Sequence, residues 1–409
     1  MKSIVVAFDY PGVSGGEAIT KLALLQQLKI MGHEVEFVNI KYSPKNKINR
    51  KNRQFLEDQK IKVTEYGIKN YFTNFIIRNK NLTEKIKKKI FKEKIDYVFF
   101  YGVKCCAAIF LDKLNFKKKF IMLGDPWSQV HLTSLKFKIL NLKENLTFKE
   151  FLKTMPLIPK QLFVVIYYYF FVERRINLFL GGFATAYHHA QYYKSINKKI
   201  VYHPSPVLDP PKGFDIKKIL HFKKNKIKNF IIIGHNLSGT SNSYGMKNLN
   251  ENLKKIDEEY NNYDWKIYIV GNNSEKYKNI FSKYLQKKRL KFIGYKDISK
   301  IHTNVHVLLN TIDNKLGNRT RIAQCFAYGI PCLSHVAALN GSPELSKKKS
   351  GALFFENSVT LLKKIKKFID NKFFYYKISN YAYTSFKKNY SKERLSKWIA
   401  SLENYNNVK

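Results

Sequence analysis

Carboxylates are scarce in this chain: 30 Asp and Glu stand against 74 Lys and Arg, a formal net charge of +44. An excess of that kind points to nucleic acid or to an anionic membrane surface. The lysines run through the whole chain rather than gathering in one block or tail. Ile, Asn, Lys, Phe and Tyr are abundant together, as in translated AT-rich DNA, so part of the charge is compositional. With no basic cluster and no binding motif, nucleic acid is set aside and the membrane surface is kept. Cysteine is scarce as well. Adjacent Cys105-Cys106 and the separate Cys325 and Cys332 have no metal-ligand spacing and read as reduced core residues of a cytosolic protein. Neither a metal nor a cofactor is expected. The longest apolar run, Leu162 to Val172, is too short to span a bilayer. Met1 to Phe8 leads straight into a strand, without the apolar region and cleavage site of a signal peptide.

What is present suffices for two domains of ordinary size, with 409 residues and 44% hydrophobic content. Ser3 to Phe8 is a continuous apolar run, the pattern of a strand buried on both faces of a parallel sheet. A loop with Gly15-Gly16 follows, then helical spacing at Ile19, Leu22, Leu25 and Leu28, then a second strand over Val35–Ile40. This is the β-loop-α-β opening of a doubly wound domain. Its loop lacks the G-x-G-x-x-G spacing, which disfavours a nicotinamide enzyme. Gly15 and Gly16 let a bound group approach the helix start, or simply make a flexible turn. Strand-like runs recur at Asp96–Gly102 and Lys119–Asp125. Asp125 and, shortly after it, His131 therefore fall where open α/β sheets bind ligands, although a capping Asp and a surface His fit the same positions. Leu157 to Leu180 is the most apolar and aromatic stretch. Flanked by Lys153 and Lys160, it reads as a buried helix whose exposed face touches a membrane.

Prolines cluster between Val201 and Pro211, where neither helix nor central strand can continue. The expected organisation is a first domain over 1–203, a linker over 204–228, a second domain over 229–385 and a C-terminal helix over 386–409 that crosses back to the first domain. Asn229–His235 restarts the buried-strand pattern. A loop of small residues follows, with Gly239, Thr240 and Gly245, suited to cradling anionic oxygens with backbone N–H groups before a helix from Met246. Trp265–Gly271, Leu290–Tyr295 and Val305–Asn310 supply further strands. Then comes the stretch on which the reading centres: Gly317, Arg319, Arg321, a short apolar helix ending at Gly329, and another buried strand. A helix start beside a glycine offers free N–H groups and a positive dipole end, and two guanidinium forks match phosphate oxygens. That combination suits a diphosphate. It also fits an ordinary strand–helix–strand unit with two solvated arginines.

Ser14-Gly15-Gly16 with Gly32-His33-Glu34-Val35, the strand Trp265–Gly271, Leu290–Tyr295, Gly317–Pro331 and the turn Gly341-Ser342-Pro343-Glu344-Leu345 occur in the order and spacing of glycosyltransferase family 4. The chain resembles that family over nearly its whole length. The resemblance implies a GT-B fold, two doubly wound Rossmann-like domains facing a cleft, with a nucleotide-diphosphate sugar as donor. It implies that Arg319 and Arg321 neutralise the leaving diphosphate. It further implies that Gly239, Thr240 and Gly245 approach the phosphates or ribose, and that Gly317, Gln324 and Glu344 line the donor. Gly15 and Gly16 would line the acceptor side, with Asp125 and His131 the nearest acid–base candidates. The expected acceptor is a surface polysaccharide of O-antigen, capsule or lipopolysaccharide type, or a lipid-linked glycan, met peripherally at the inner face of the cytoplasmic membrane. Retention of configuration is what the family implies. One departure matters: of two glutamates that many members carry eight positions apart, the first falls on Leu316 and the second on Gln324. An amide still hydrogen-bonds a ribose hydroxyl; a leucine gives no help at the sugar. A nucleotide-sugar epimerase of the same fold and a non-catalytic sugar-nucleotide scaffold are the rival readings.

Overall fold

The computed structural model describes residues 1–12, 16–41, 50–68, 71–72, 75–76, 78–144, 155–217, 229–237, 240–260 and 263–404. It divides into two units. One holds Glu17–Pro204 with the initial strand and the chain from Leu395 on; the other holds Ser205–Arg394.

The first unit is built on β1 (Lys2–Phe8), β2 (Glu34–Lys41), β3 (Lys62–Gly67), β6 (Tyr97–Tyr101), β7 (Lys119–Leu123), β8 (Gly181–Ala184) and β9 (Ile200–Tyr202). Between them β4 (Tyr71–Phe72) and β5 (Phe75–Ile76) form a separate antiparallel pair. The seven strands run parallel in the order β3-β2-β1-β6-β7-β8-β9. Every residue of β6 is buried, as its unbroken apolar run requires when helices cover both faces. All four cysteines are buried and none is in a disulfide. Burial pushes the Cys105 thiol up to about 12, so it stays protonated and inert.

The last helix, Glu393–Asn404, places Leu395, Trp398, Ile399 and Leu402 on one stripe, and all four are buried. The Trp398 ring centroid lies 4.6 Å from that of Phe183 and 6.2 Å from that of Phe99. The amide of Gln27 donates to Ser396 Oγ. Residues from Leu395 on thus complete the first unit's core.

The second unit has six parallel strands: β10 (Asn229–Asn236), β11 (Lys266–Asn272), β12 (Leu290–Phe292), β13 (Val307–Asn310), β14 (Cys332–His335) and β15 (Ala352–Phe355). Their order is β12-β11-β10-β13-β14-β15. In both sheets the chain winds outward one way and then returns to wind the other. The reversals fall between β1 and β6 and between β10 and β13, which is where open α/β sheets have a crevice beyond their carboxyl ends. Residues 218–228 of the expected linker lie outside the described residues. The proline cluster before them is divided: Pro204 ends the first unit, and from Ser205 on it packs within the second, where Val207 N donates to Tyr390 O at 2.9 Å and Val207 bridges Ser391.

Candidate functional site

The site is assembled where β13 leaves the second sheet. Thr311, directly after β13, donates its hydroxyl to Gly245 O at 2.6 Å. Gly245 is not in a loop. The helix begins at Thr240 and runs to Glu259, so the small-residue stretch forms its first turns, six residues earlier than the position expected from sequence. A Cβ on Gly245 would stand 2.7 Å from Ile312 Cγ1. Glycine here brings the helix against the exit of β13, which is a packing role.

The next residues form a loop closed by Arg319. Its Nη2 donates to Asn314 O at 2.6 Å and to Asn314 Oδ1 at 3.3 Å, and its Nη1 donates to Leu316 O. Arg319 is 4% exposed and precedes the helix Thr320–Ala327. The side chain that sequence assigns to a ligand is spent here on the loop's own carbonyls. Gly317 adopts φ +77° in this loop, a conformation that favours glycine. A Cβ on Gly341 would stand 2.6 Å from Gly317 O, so the two turns meet backbone to backbone. Ser342 Oγ donates to Asn318 Oδ1 at 3.1 Å and ties them. Leu316 and Gln324 are partly exposed on this loop and helix.

Arg321 is different. It sits in the first turn of Thr320–Ala327 and reaches across to the helix after β10, where its Nη2 donates to Asn242 Oδ1 at 2.9 Å. Burial, then the nearby Arg319 charge, lowers its pKa to about 9. Among the described residues this half-buried cation has an amide oxygen as its hydrogen-bond partner, beside a helix start and at the sheet's reversal point, an arrangement chemically suited to an anion. Glu344, expected to face a polar ligand, is 9% exposed and accepts a hydrogen bond from the Tyr390 hydroxyl.

The remaining expected residues scatter. Gly15 and Gly239 lie outside the described residues, as does the Thr240 side chain; Gly16 opens the helix Gly16–Ile30. Asp125 follows β7, and its Oδ1 is 3.3 Å from Nδ1 of buried His189. Sequence offered no signal for His189, one of two adjacent histidines in the helix Tyr187–Lys194. His131 is 7% exposed: Gln161 Nε2 lies 3.0 Å from its Nδ1, and its ring packs by Trp127 and Tyr168. Four residues after Trp127 on one helix, it shares that residue's inward face and belongs to an aromatic cluster rather than to the strand ends. Asn242 and Lys21 were also missed. Lys21 is 2% exposed and donates to Phe8 O at 2.9 Å and Asp9 O at 3.0 Å, where β1 ends. Among the described residues no cluster of His, Cys, Asp and Glu has the makings of a metal site, and no helix is long and apolar enough to cross a membrane.

Residues 228–371 match the family model described as Glycosyl transferases group 1. A sequence comparison with curated proteins returned no match. Among solved structures, the chain is similar to a glycosyltransferase from Rickettsia africae ESF-5, with 16% identity, a TM-score of 0.64 and all of both chains covered. It is similar to Anabaena Alr3699/HepE in complex with UDP, with 13% identity, a TM-score of 0.65, and 98% of this chain and 100% of that one covered. It is also similar to WaaG, a glycosyltransferase involved in lipopolysaccharide biosynthesis, with 10% identity, a TM-score of 0.56, and 94% and 95% covered. The arginine-bearing unit is thus the part of the chain similar to group 1 glycosyltransferases, and the chain as a whole has the GT-B fold.

Proposed function

We propose that the protein transfers a sugar from a nucleoside-diphosphate donor to a surface-polysaccharide or lipid-linked glycan acceptor, met at an anionic membrane surface on the cytoplasmic side, with retention of configuration. The observation that carries the donor half is Arg321, a desolvated cation with an amide for its hydrogen-bond partner. A diphosphate gathers negative charge as its bond to the sugar breaks. A fixed guanidinium and the N-terminal end of Thr320–Ala327 stabilise that charge more than they stabilise the ground state, which is what accelerates the step. Asn242 orients the guanidinium. Arg319 acts one step back, as a positioning residue that holds the Asn314–Leu316 loop. Gln324 is assigned to a ribose hydroxyl, and Glu344, held by Tyr390, to a polar group of the donor. Asp125 remains the acceptor-side candidate, now paired with His189.

The neighbours give the acceptor reading its direction: one is described as acting in lipopolysaccharide biosynthesis, and another was solved with UDP. The test is a thermal-shift screen of the purified protein against UDP, GDP, CDP and ADP. A ligand that binds only the native state adds about 2.7 kcal/mol at a hundred times its dissociation constant. One nucleotide is expected to raise the melting temperature, and Arg321→Gln to remove that rise. The donor reading fails if none of the four shifts the wild type, or if Arg321→Gln responds as the wild type does.

A further inference from the structure

The segment from Leu157 to Leu178 has two apolar faces where a surface helix has one. Val164, Tyr168, Val172 and Ile176 recur every four residues and are buried in the first unit's core. On the other side Phe163, Phe170 and Phe171 are 59%, 57% and 58% exposed, with Leu162 and Ile166 beside them. No charged side chain occurs from Leu162 to Val172. Leu132 and Ile139, on the helix Trp127–Glu144 that packs against this segment, extend the exposed apolar surface.

Among the described residues the exposed charge at its margin has one sign. Lys160 precedes the run and Arg174 follows it, its guanidinium 5.4 Å from the Tyr169 ring centroid, and both are exposed, as is Lys136 on the neighbouring helix. The only carboxylate between Met155 and Leu178 is Glu173, and it is withdrawn from the surface. It is fully buried and accepts hydrogen bonds from Ser128 N at 2.9 Å, Ser128 Oγ at 2.8 Å and the Tyr192 hydroxyl. Exposed aromatic rings bordered by cations, with the lone acid turned inward, match a bilayer surface: rings among acyl chains, cations at headgroup phosphates. A second copy of the chain would bring the same cations against these, so a face-to-face dimer is disfavoured by charge.

We infer that the Leu162–Phe171 face inserts into an anionic phospholipid leaflet, with Lys160 and Arg174 at the phosphates. This names the surface for the membrane contact in the proposed function and rests on that reading for its purpose. Glu173 gives the docking a geometric consequence. Through Ser128 it fastens the lipid-facing segment to the start of the helix that follows Asp125, so the leaflet is held in fixed register with the exit of β7.

The experiment is co-sedimentation of the full chain with vesicles of phosphatidylcholine alone and of phosphatidylcholine mixed with phosphatidylglycerol. The wild type is expected to bind the mixed vesicles and to leave the neutral ones. Phe170→Ser/Phe171→Ser should raise the lipid needed for half-binding by about tenfold or more, since each ring no longer leaves water. Its melting temperature and response to nucleotide should not change; if the pair of changes unfolds the protein, Phe163→Ser reads the same face. Lys160→Gln/Arg174→Gln should reduce the preference for phosphatidylglycerol. Wild-type protein that binds neither vesicle overturns the inference, as does a serine variant that binds as well as wild type. Sedimentation that reveals a wild-type dimer dissolved by the serine changes assigns the face to a second copy instead. A nucleotide shift without vesicle binding sinks this inference alone, whereas vesicle binding without any nucleotide shift sinks the donor reading and leaves the docking face standing.

Discussion

Each unit of this protein carries a cation beside the reversal point of its sheet, and the two are satisfied in opposite ways. In the first unit Lys21 turns back on its own chain, giving hydrogen bonds to Phe8 O and Asp9 O while lying 5.3 Å from the Tyr101 ring centroid. Burial lowers its pKa, with Glu17 and Asp9 opposing that shift. In the second unit Arg321 has a planar fork of donors and, among the described residues, meets one amide oxygen. The topology is the same at both places. The residues decide whether the crevice is closed by the chain's own carbonyls or left with donors for a ligand. Lys21 is satisfied by its own chain, and Arg321 is the cation to which the proposed function gives the donor.

Replacing the two cations should separate those roles. Lys21→Ala takes a donor from the carbonyls of Phe8 and Asp9, the first of them buried, and leaves a space around the lost stem, so a loss of about 2–4 kcal/mol is expected in urea unfolding. Its nucleotide-induced thermal shift should persist; loss of that shift would make Lys21 part of the binding machinery and erase the contrast. Tyr390→Phe takes the hydroxyl from Glu344 and should cost about 1–2 kcal/mol, read by the same titration. If Glu344 faces the donor, KM for the donor should rise as well; unchanged kinetics would make it a packing group.

The smallest effect on stability is expected at Arg321. Because its cation is half-buried and has no carboxylate ion pair among the described residues, Arg321→Gln should leave the empty protein within about 1 kcal/mol of wild type, or above it, as substitutions at binding sites often do. A large destabilisation would make Arg321 structural. The pH dependence sharpens the point. The folded-state pKa of about 9 lies below the ordinary arginine value, so above pH 9 the unfolded chain holds this proton more firmly, and the group's contribution to stability rises with pH. Nucleotide affinity should move the other way, falling as pH passes 9 in the wild type and staying flat there in Arg321→Gln. Isothermal titration across pH 8 to 10, on the order of one unit either side, distinguishes the two trends.

Much of the fold was legible in the residues. Ile4 to Phe8, Tyr97 to Tyr101 and Phe230 to Ile233 are runs too short and too apolar for surface helices, and each became a strand inside a parallel sheet. The helix Thr320–Ala327 and its closing Gly329, at φ +63°, were equally plain. The start of the helix at Thr240 was not. Thr, Ser, Asn and Gly lower helix propensity and read as loop, yet the contacts of Gly245 with Ile312 and Thr311 reward a helix there. Propensity is local and weak; packing overrides it.

Sequence by itself determined the two α/β units, their parallel strands and the glycines at their turns, because buried strands and sharp turns demand residue types that few alternatives satisfy. Tertiary structure alone decided which partners the polar side chains meet. Arg319 and Arg321 are two positions apart, so on a helix start they point to different sides: one fills its own loop, and the other meets Asn242 from a helix that lies 79 residues earlier in the chain. His131 went into an aromatic cluster, while His189 was brought to Asp125 by the pairing of β7 with β8. A residue's chemistry is written in its type, but its partners come from long-range strand order, which spacing along the chain does not encode.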